Sequence, residues 1–256
     1  MSAEPVISFK QVSKTFPRTD GKGTFTAVDK LSFEIAKGEI VAVLGKTGCG
    51  KSTMFNIVAG LIEPSEGTAR VVGHNPFSDF DFFRGKIGIV FQNDRLMPWR
   101  TALENVVLGL QILNADPKQA LDTARSWLAR LGLSGHENDY PHALSGGMRQ
   151  RVSIARAFAV NPDILLCDEP FSALDEMTAR DLRSEFVKLV RQNDKTGIFI
   201  THQINEALEI GDRVMVFHRP AQIAYEARLT ASTNDAERDN VRDQIMKVLS
   251  ESPSSD

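Results

Sequence analysis

Residues 45–52 read Gly-Lys-Thr-Gly-Cys-Gly-Lys-Ser and match the pattern G-x-x-x-x-G-K-[ST] at every fixed position. The stretch follows a short apolar run at residues 39–44, and a helix is predicted from Lys51 to about Ala59, before Gly60. Glycines let the backbone curl so that successive N–H groups point at phosphate oxygens, and the helix N-terminus adds partial positive charge. Because the pattern lies between a predicted strand and a predicted helix, it indicates an α/β fold that binds a nucleoside triphosphate.

The residues of this phosphate loop, residues 45–53, have different expected contributions. Lys51 would neutralise the β- and γ-phosphates, and the hydroxyl of Ser52 would coordinate Mg²⁺. Cys49 is interpreted as a small residue that fits its site, not as a nucleophile. The alternative is a plain glycine-rich turn, which the surrounding strand and helix disfavour. The predicted contacts to the nucleotide are Gly45, Lys46, Thr47, Gly48, Cys49, Gly50, Lys51, Ser52 and Thr53.

Composition and charge restrict the class of protein. The 256 residues are 42% hydrophobic, and 30 basic against 33 acidic side chains give a net charge of −3, which argues against a general nucleic-acid binder. No apolar run approaches the ~18 residues of a membrane-spanning helix. Residues 1–5 lack the basic and apolar regions of a secretory signal, and two cysteines fit a reducing compartment. We therefore expect a protein made in the cytoplasm that works there or on a membrane it does not cross.

Strands and helices alternate along the chain, which predicts a mainly parallel sheet covered on both faces. Helical periodicity replaces this alternation from Thr101 to Val160, as if a helical block were inserted into the α/β unit. Near the C-terminus one amphipathic helix is predicted, and we expect it to pack on its own domain, with a partner-binding role as the alternative. Its apolar positions are Val241, Ile245, Met246 and Leu249.

An acidic pair ends the apolar run at residues 164–167. Asp168 is predicted to hold the Mg²⁺ site, and Glu169 is the candidate to polarise water toward the γ-phosphorus. The alternative is an acidic pair that merely ends a strand at the surface.

A second glycine-rich stretch, residues 144–151, opens a long helical pattern through Ala159. Ser145 followed by Gly146 and Gly147 places another set of backbone N–H groups at a helix N-terminus, which predicts a second anion site. The alternative is an N-cap serine followed by two glycines with no ligand.

Over residues 6–226 the sequence resembles the ATP-binding cassette (ABC) family, and residues 144–151 are similar to that family's signature motif. Gln92 resembles its Q-loop glutamine, residues 171–175 resemble its D-loop and end in Asp175, and His202 resembles its switch histidine. The resemblance implies an α/β P-loop NTPase (RecA-like) core with an antiparallel β-subdomain and an inserted helical subdomain at about 93–160. It implies a cassette at 1–229, followed by a C-terminal helical extension and tail at 230–256.

The resemblance also implies how ATP is used. Two cassettes would pair head to tail as a homodimer, so that each ATP lies between one phosphate loop and the partner's signature motif. Gln92 would join the metal shell with Ser52 and Asp168, and His202 would contact the γ-phosphate and the attacking water. Phe16 would stack on adenine, although packing in the core is the alternative.

A finer similarity indicates a branch of the family. Residues 96–106 are similar to the segment after the Q-loop in nitrate, sulfonate and taurine importer ATPases, although Pro98–Trp99 alone could be a rigid turn with an aromatic anchor. The turn at residues 218–223 echoes the same branch, with Ala221 in place of a glycine. This resemblance implies a peripheral ATPase at the cytoplasmic face of the membrane that energises import of a small solute. Its partners would be permease subunits on separate chains and a periplasmic or extracellular solute-binding protein, with no nucleic acid. The alternatives are the ATPase of an exporter or lipid-trafficking complex, or a non-transport cassette protein.

Overall fold

The structure is a computed structural model that describes residues 4–18, 21–230 and 232–251. Part of the N-terminal stretch discussed above, residues 1–3, and the Ser/Pro tail at 252–256 lie outside these ranges. The strands and helices, in chain order, are β1 (Ile7–Pro17), β2 (Thr24–Ile35), β3 (Ile40–Gly45), α1 (Lys51–Val58), β4 (Glu66–Val71), β5 (Ile87–Val90), α2 (Ala102–Ile112), α3 (Pro117–Arg130), α4 (Gly146–Ala159), β6 (Ile164–Asp168), α5 (Glu176–Gln192), β7 (Thr196–Ile200), α6 (Ile204–Ile210), β8 (Arg213–His218), β9 (Gln222–Arg228) and α7 (Asp235–Glu251).

The chain divides into two compact units. The first contains residues up to Phe82 together with those from Thr196 onward, and the second runs from Phe83 to Lys195. Among the described residues, no helix has both the length and the hydropathy that crossing a bilayer requires.

The first unit contains a three-stranded antiparallel sheet of order β2-β1-β4. The inward positions of β1 are apolar, and Ile7, Phe9 and Val12 are each at most 1% exposed. Phe9 stacks on Phe33 of β2 with ring centroids 4.6 Å apart. This sheet confirms the antiparallel β-subdomain that the family resemblance implied.

The first unit also contains the predicted parallel sheet. Strand β3 lies between β7 and β8 and is parallel to both, and all six of its residues are buried. A strand that is covered on both faces is a continuous apolar run, which is why residues 39–44 could be recognised in the sequence. The sheet continues from β8 into β9, which runs antiparallel and was not predicted.

The C-terminal helix α7 packs on the first unit. Ile245 is fully buried in a cluster with Ala42 and Leu44 of β3 and side chains of α6 and β8, and Val241 and Leu249 pack against the same cluster. The prediction that this helix packs on its own domain is confirmed for those three residues. It is wrong for Met246, which is 47% exposed; Val248 packs against the cluster instead, because it shares a helix face with Val241, Ile245 and Leu249.

The second unit contains the parallel pair β5 and β6 and the helices α2 to α5. The helices predicted between Thr101 and Val160 are present as α2, α3 and α4. Helix α2 begins where a capping box satisfies its free N–H groups: Thr101 Oγ1 accepts from Glu104 N, and Glu104 Oε2 accepts from Thr101 N.

A fully buried asparagine fixes the chain that leads into α2. Asn105 Oδ1 accepts from Met97 N at 2.7 Å, and its Nδ2 lies 3.2, 3.0 and 2.9 Å from the carbonyl oxygens of Met97, Arg100 and Thr101. One side chain therefore satisfies the backbone groups of a loop that forms no ladder of its own.

Replacing Asn105 with alanine should lower the free energy of unfolding by about 1–3 kcal/mol, because buried backbone groups lose their partners. Urea denaturation measures the effect, and Asn138→Ala, at an exposed position, is the matched control. Equal midpoints for the two variants would contradict this account of the loop.

Candidate functional site

The phosphate loop connects the buried strand β3 to helix α1, as predicted. Gly50 is the N-cap residue of α1 and has a left-handed backbone with φ of 105°. The Lys51 side chain is only 7% exposed, and its Nζ donates to Gly45 O at 2.6 Å and to Lys46 O at 3.2 Å. The backbone thus curls around a buried ammonium group, which places positive charge at the centre of the loop.

Two glycines of the loop are required by its geometry. A Cβ on Gly50 would lie 2.3 Å from Ala27 O and 2.7 Å from Ala221 Cβ. Gly48 has open space around it but a φ of 77°, which side-chain-bearing residues rarely adopt. The tight turn therefore depends on the absence of a side chain at both positions.

The side chains of the loop differ in exposure. Lys46, Thr47 and Ser52 are exposed and Thr53 is partly buried, whereas Cys49 is 3% exposed. The Cys49 Sγ lies under Gly45, at 2.6 Å from where a Cβ on that glycine would be. This burial agrees with the interpretation of Cys49 as a small residue that fits its site.

A cavity of about 240 Å³ opens beside the phosphate loop in the first unit. Its walls come from the loop, from β2 and from the turn after β8, and they include Gly48, Lys51, Ser52, Phe25 and Arg219. The sequence did not point to Phe25, and it pointed to Arg219 only as part of the turn at residues 218–223, because only the fold brings these two side chains to the loop.

Phe16, predicted to stack on adenine, is partly exposed on β1. Its ring stacks on Phe25 with centroids 5.5 Å apart, and Lys14 Nζ lies 5.3 Å from the centroid of the Phe16 ring. Because Phe25 lines the cavity, the aromatic pair Phe16–Phe25 presents an apolar surface at its edge.

In the second unit, the acidic pair follows β6 as predicted. Asp168 is the last residue of the strand, and Glu169 adopts a left-handed backbone with φ of 46°. A non-glycine residue in this conformation is strained unless its neighbours fix it. Ser172 does so, since both its N and its Oγ donate to Glu169 O, at 3.2 and 3.0 Å.

The second cysteine, Cys167, is the residue before this acidic pair. Burial, with the charge of Asp168, raises the pKa of the Cys167 thiol well above its usual range, so that Cys167 is unreactive and only fills space in the core.

The predicted signature serine caps helix α4. Ser145 is exposed, and its Oγ accepts from Met148 N at 3.3 Å. A Cβ on Gly147 would lie 2.8 Å from Thr178 Cγ2, so the helix N-terminus approaches α5 closely. The N-cap that was considered as the alternative is therefore present, and it leaves the exposed N–H groups of a 14-residue helix beside Ser145.

Asp175, predicted from the D-loop resemblance, caps the neighbouring helix α5. Its carboxylate accepts from Thr178 N at 3.0 Å, and hydrogen bonds from Thr178 lower the pKa of Asp175. Thr178 thus connects the two predicted segments, because it contacts Asp175 through its backbone and faces Gly147 through its side chain.

The predicted Q-loop residue Gln92 is exposed, whereas the segment around it is held to α4. Gln150 Nε2 donates to Phe91 O at 3.2 Å, Arg149 Nε donates to Asp94 Oδ2 at 2.9 Å, and Arg156 donates to the carbonyl oxygens of Asp94 and Arg95. Three side chains of α4 therefore hold the segments on both sides of Gln92, two of them through backbone carbonyl groups and Arg149 through the Asp94 carboxylate.

His202 is exposed and follows the buried strand β7 in the first unit. Its neighbours Thr201 and Gln203 are joined by a hydrogen bond from Gln203 N to Thr201 Oγ1 at 3.0 Å. The switch histidine thus lies in a short turn between β7 and α6.

The structure brings the predicted residues together in two sets. The first unit holds the phosphate loop, Phe16 and His202, and the second holds Gln92, residues 145–147, the acidic pair 168–169 and Asp175. No group of three or more His, Cys, Asp or Glu side chains converges on a metal position anywhere in the described ranges. The oxygen atoms of Ser52, Gln92 and Asp168, which we predicted as metal ligands, are of the types that suit Mg²⁺, an ion that takes most of its ligands from phosphate and water.

Trp99 is not the packed anchor that was considered for it. The side chain is 71% exposed in the loop before α2, and Ile112 at the end of α2 is 55% exposed. These two apolar side chains lie on the surface of the predicted helical block.

Comparisons with known proteins place these features in a family. Residues 28–172 match the model of the ABC transporter family. The chain is 38% identical over 237 residues to the taurine import ATP-binding protein TauB of Rhizobium johnstonii, covering 89% of this chain and 88% of TauB. It is 38% identical over 215 residues to the bicarbonate transport ATP-binding protein CmpD of Synechocystis sp., covering 82% and 73% of the two chains.

A solved structure has the same fold. The dimeric ATP-binding cassette MJ0796, in a post-hydrolysis state bound to ADP and Pi, superposes with a TM-score of 0.79 at 35% identity, covering 88% of this chain and 99% of MJ0796. The phosphate loop, the acidic pair after β6 and the capped signature helix thus occur in a chain whose sequence and fold agree with one family. The chain belongs to the ABC transporter ATP-binding family and is an ATPase.

Proposed function

We propose that the chain is the ATP-hydrolysing subunit of an import complex, in which two copies act with a permease on separate chains. The observation that carries the proposal is the phosphate loop, whose backbone encloses the buried Lys51 ammonium. A loop of this kind suits a nucleoside triphosphate, because backbone N–H groups and one fixed cation meet the phosphate oxygens together.

Nucleotide binding is assigned to the first set of residues. The phosphates would be held by residues 45–53, with Lys51 on the β- and γ-phosphates and Ser52 on Mg²⁺. The base would meet the aromatic pair Phe16–Phe25, since Phe25 lines the cavity beside the loop.

Hydrolysis is assigned to the side chains at the ends of two buried strands. Glu169 would act as general base toward the attacking water, and His202 would contact the γ-phosphate. Asp168 and Gln92 would complete the Mg²⁺ ligands with Ser52, and the bound ion would neutralise charge that develops on the phosphate oxygens.

A pair of cassettes is supported by the exposed N-terminus of α4. Ser145 and residues 146–147 present N–H groups that suit the γ-phosphate of a second copy, and Asp175 would lie at the contact between copies. The related cassette MJ0796 is dimeric.

Import is supported by the relatives, since TauB is a taurine import protein and CmpD a bicarbonate transport protein. The solute would be small, such as nitrate, a sulfonate, taurine or a related compound, delivered by a solute-binding protein on the opposite side of the membrane. We assign the cassette to residues 1–229, its helical subdomain to 93–160 and a C-terminal extension to 230–256. The protein would lie on the cytoplasmic face of the membrane.

Glu169→Gln should retain ATP binding but lower the rate of hydrolysis about 10²–10⁴-fold, because the amide cannot accept the proton. Phosphate release and nucleotide fluorescence titration measure the two properties. Lys51→Ala should instead lose ATP binding, because the cation that would neutralise the β- and γ-phosphates is removed. The exposed Glu63→Gln is the matched control for both substitutions. Undiminished turnover of Glu169→Gln would remove Glu169 from this role.

Ser145→Arg should abolish the ATP-driven dimer and spare ATP binding by the monomer, because the substitution acts on the partner's nucleotide. Sedimentation velocity with ATP in a Glu169→Gln background measures the dimer. Ser134→Arg, at an exposed position outside the signature motif, is the matched control. A Ser145→Arg protein that still dimerises with ATP would refute the two-cassette arrangement.

Trp99→Ala should weaken co-purification with an integral-membrane permease and leave ATP hydrolysis by the isolated chain unchanged, because it removes an exposed apolar contact from the helical block. A tagged chain captured from membranes of its own cell provides the measurement, and Met246→Ala is the control at another exposed apolar position. Capture of ribosomes or DNA in place of a membrane protein would favour a non-transport cassette protein.

A further inference from the structure

A buried polar pair lies beside the switch histidine and has no role in the assignments above. Thr201 is 1% exposed and Glu206, in the first turn of α6, is 2% exposed. The Thr201 hydroxyl donates to Glu206 Oε2 at 2.5 Å, which is a short hydrogen bond between two buried groups.

The Thr201 hydroxyl both donates and accepts a hydrogen bond. It has one proton to donate, which goes to Glu206, so its lone pairs face the N–H of Gln203, which donates to it at 3.0 Å. The backbone N of Thr201 donates to Val43 O of β3 at 3.2 Å. The residues on both sides of His202 are therefore fixed, whereas the imidazole itself is exposed.

The helix that carries Glu206 packs into the apolar core. Helix α6 inserts Ala207 and Leu208 into the apolar cluster formed with Ala42 and Leu44 of β3. A carboxylate at 2% exposure is costly to bury, and an apolar side chain would fill the same place without that cost. The fold thus buries a carboxyl group where it accepts the proton of the Thr201 hydroxyl.

We propose that Glu206 is a positioning residue for ATP hydrolysis: through the Thr201 hydroxyl it fixes the turn that carries His202, and it does not touch the nucleotide. The inference rests on the proposed role of His202 at the γ-phosphate. A catalytic group displaced by about 1 Å loses on the order of 10²-fold in rate. The rate gained from a fixed turn can therefore offset the free-energy cost of burying the Glu206 carboxyl group.

The test is a double-mutant cycle in steady-state ATP hydrolysis by the full chain. Glu206→Gln should lower kcat about ten- to hundred-fold and leave KM for ATP within about twofold of the wild type, because the phosphate loop and the aromatic pair would supply most of the contacts to ATP. Thr201→Val should reproduce the loss and Thr201→Ser should largely restore activity, since serine keeps the hydroxyl. Glu209→Gln, an exposed glutamate of the same helix, is the matched control.

The decisive measurement is Glu206→Gln in a His202→Ala background. If Glu206 acts through His202, the second substitution should change kcat by less than about twofold once the imidazole is absent. An equal loss of kcat in both backgrounds would overturn the proposal, as would a rise in KM with kcat unchanged. If Glu206→Gln does not fold, Thr201→Val completes the same cycle and the same criteria apply.

The outcomes separate this inference from the proposed function. A His202→Ala protein that hydrolyses ATP at the wild-type rate would refute the role of His202. A His202→Ala protein that is impaired, beside a Glu206→Gln protein with normal kcat, would refute only the positioning role of Glu206.

Discussion

At Gly50 of the phosphate loop there is no room for a side chain, because two other segments of the first unit contact the loop at this residue. A Cβ there would lie 2.3 Å from Ala27 O, and that same carbonyl accepts from Ala221 N at 2.9 Å. Strand β2 and the turn after β8 therefore meet the phosphate loop at one point and hold its backbone in the curl that encloses Lys51. Fully buried Ala221 fits this junction with its methyl group 2.7 Å from the Cβ position of Gly50, so the alanine in place of the branch's glycine is accommodated.

In the second unit, two of the predicted site residues are also helix caps. Ser145 and Asp175 each satisfy an N–H group at the start of their own helix, and each is also a residue assigned to the nucleotide. Capping and ligand binding are compatible because a helix N-terminus has four free N–H groups and one cap uses only one or two of them. The alternatives considered for these residues from the sequence were thus not exclusive.

Much of the fold could be predicted because its signals are local. The apolar run before the phosphate loop, the helical periodicity after Gln92 and the fixed spacing of the motifs all lie within short windows of sequence. Strand β9 was missed because its residues alternate weakly, and its place in the sheet comes from antiparallel pairing along the whole of β8. Phe25 was missed, and Arg219 was noted only in the turn at residues 218–223, because the fold brings both to the phosphate loop from distant parts of the chain. Glu206 was missed because its burial beside Thr201 has no signal in the sequence. The left-handed backbone of Glu169 also could not be predicted from the sequence, because no local signal distinguishes this residue from an ordinary strand end.

The two side chains to which we assign hydrolysis are held in place in the same way. Glu169 and His202 each follow the last or nearly last residue of a strand that is buried along its length, and in each case a neighbouring hydroxyl fixes the backbone: Ser172 holds Glu169 O, and Thr201 holds Gln203 N. The strand supplies rigidity, and the hydroxyl sets the direction in which the chain leaves it. The two side chains can then stay accessible to a substrate while their backbone is held, which is the condition for electrostatic preorganisation. In this chain, therefore, the side chains to which we assign the chemistry are exposed or partly exposed, and neighbouring hydroxyl groups fix the backbone that carries them.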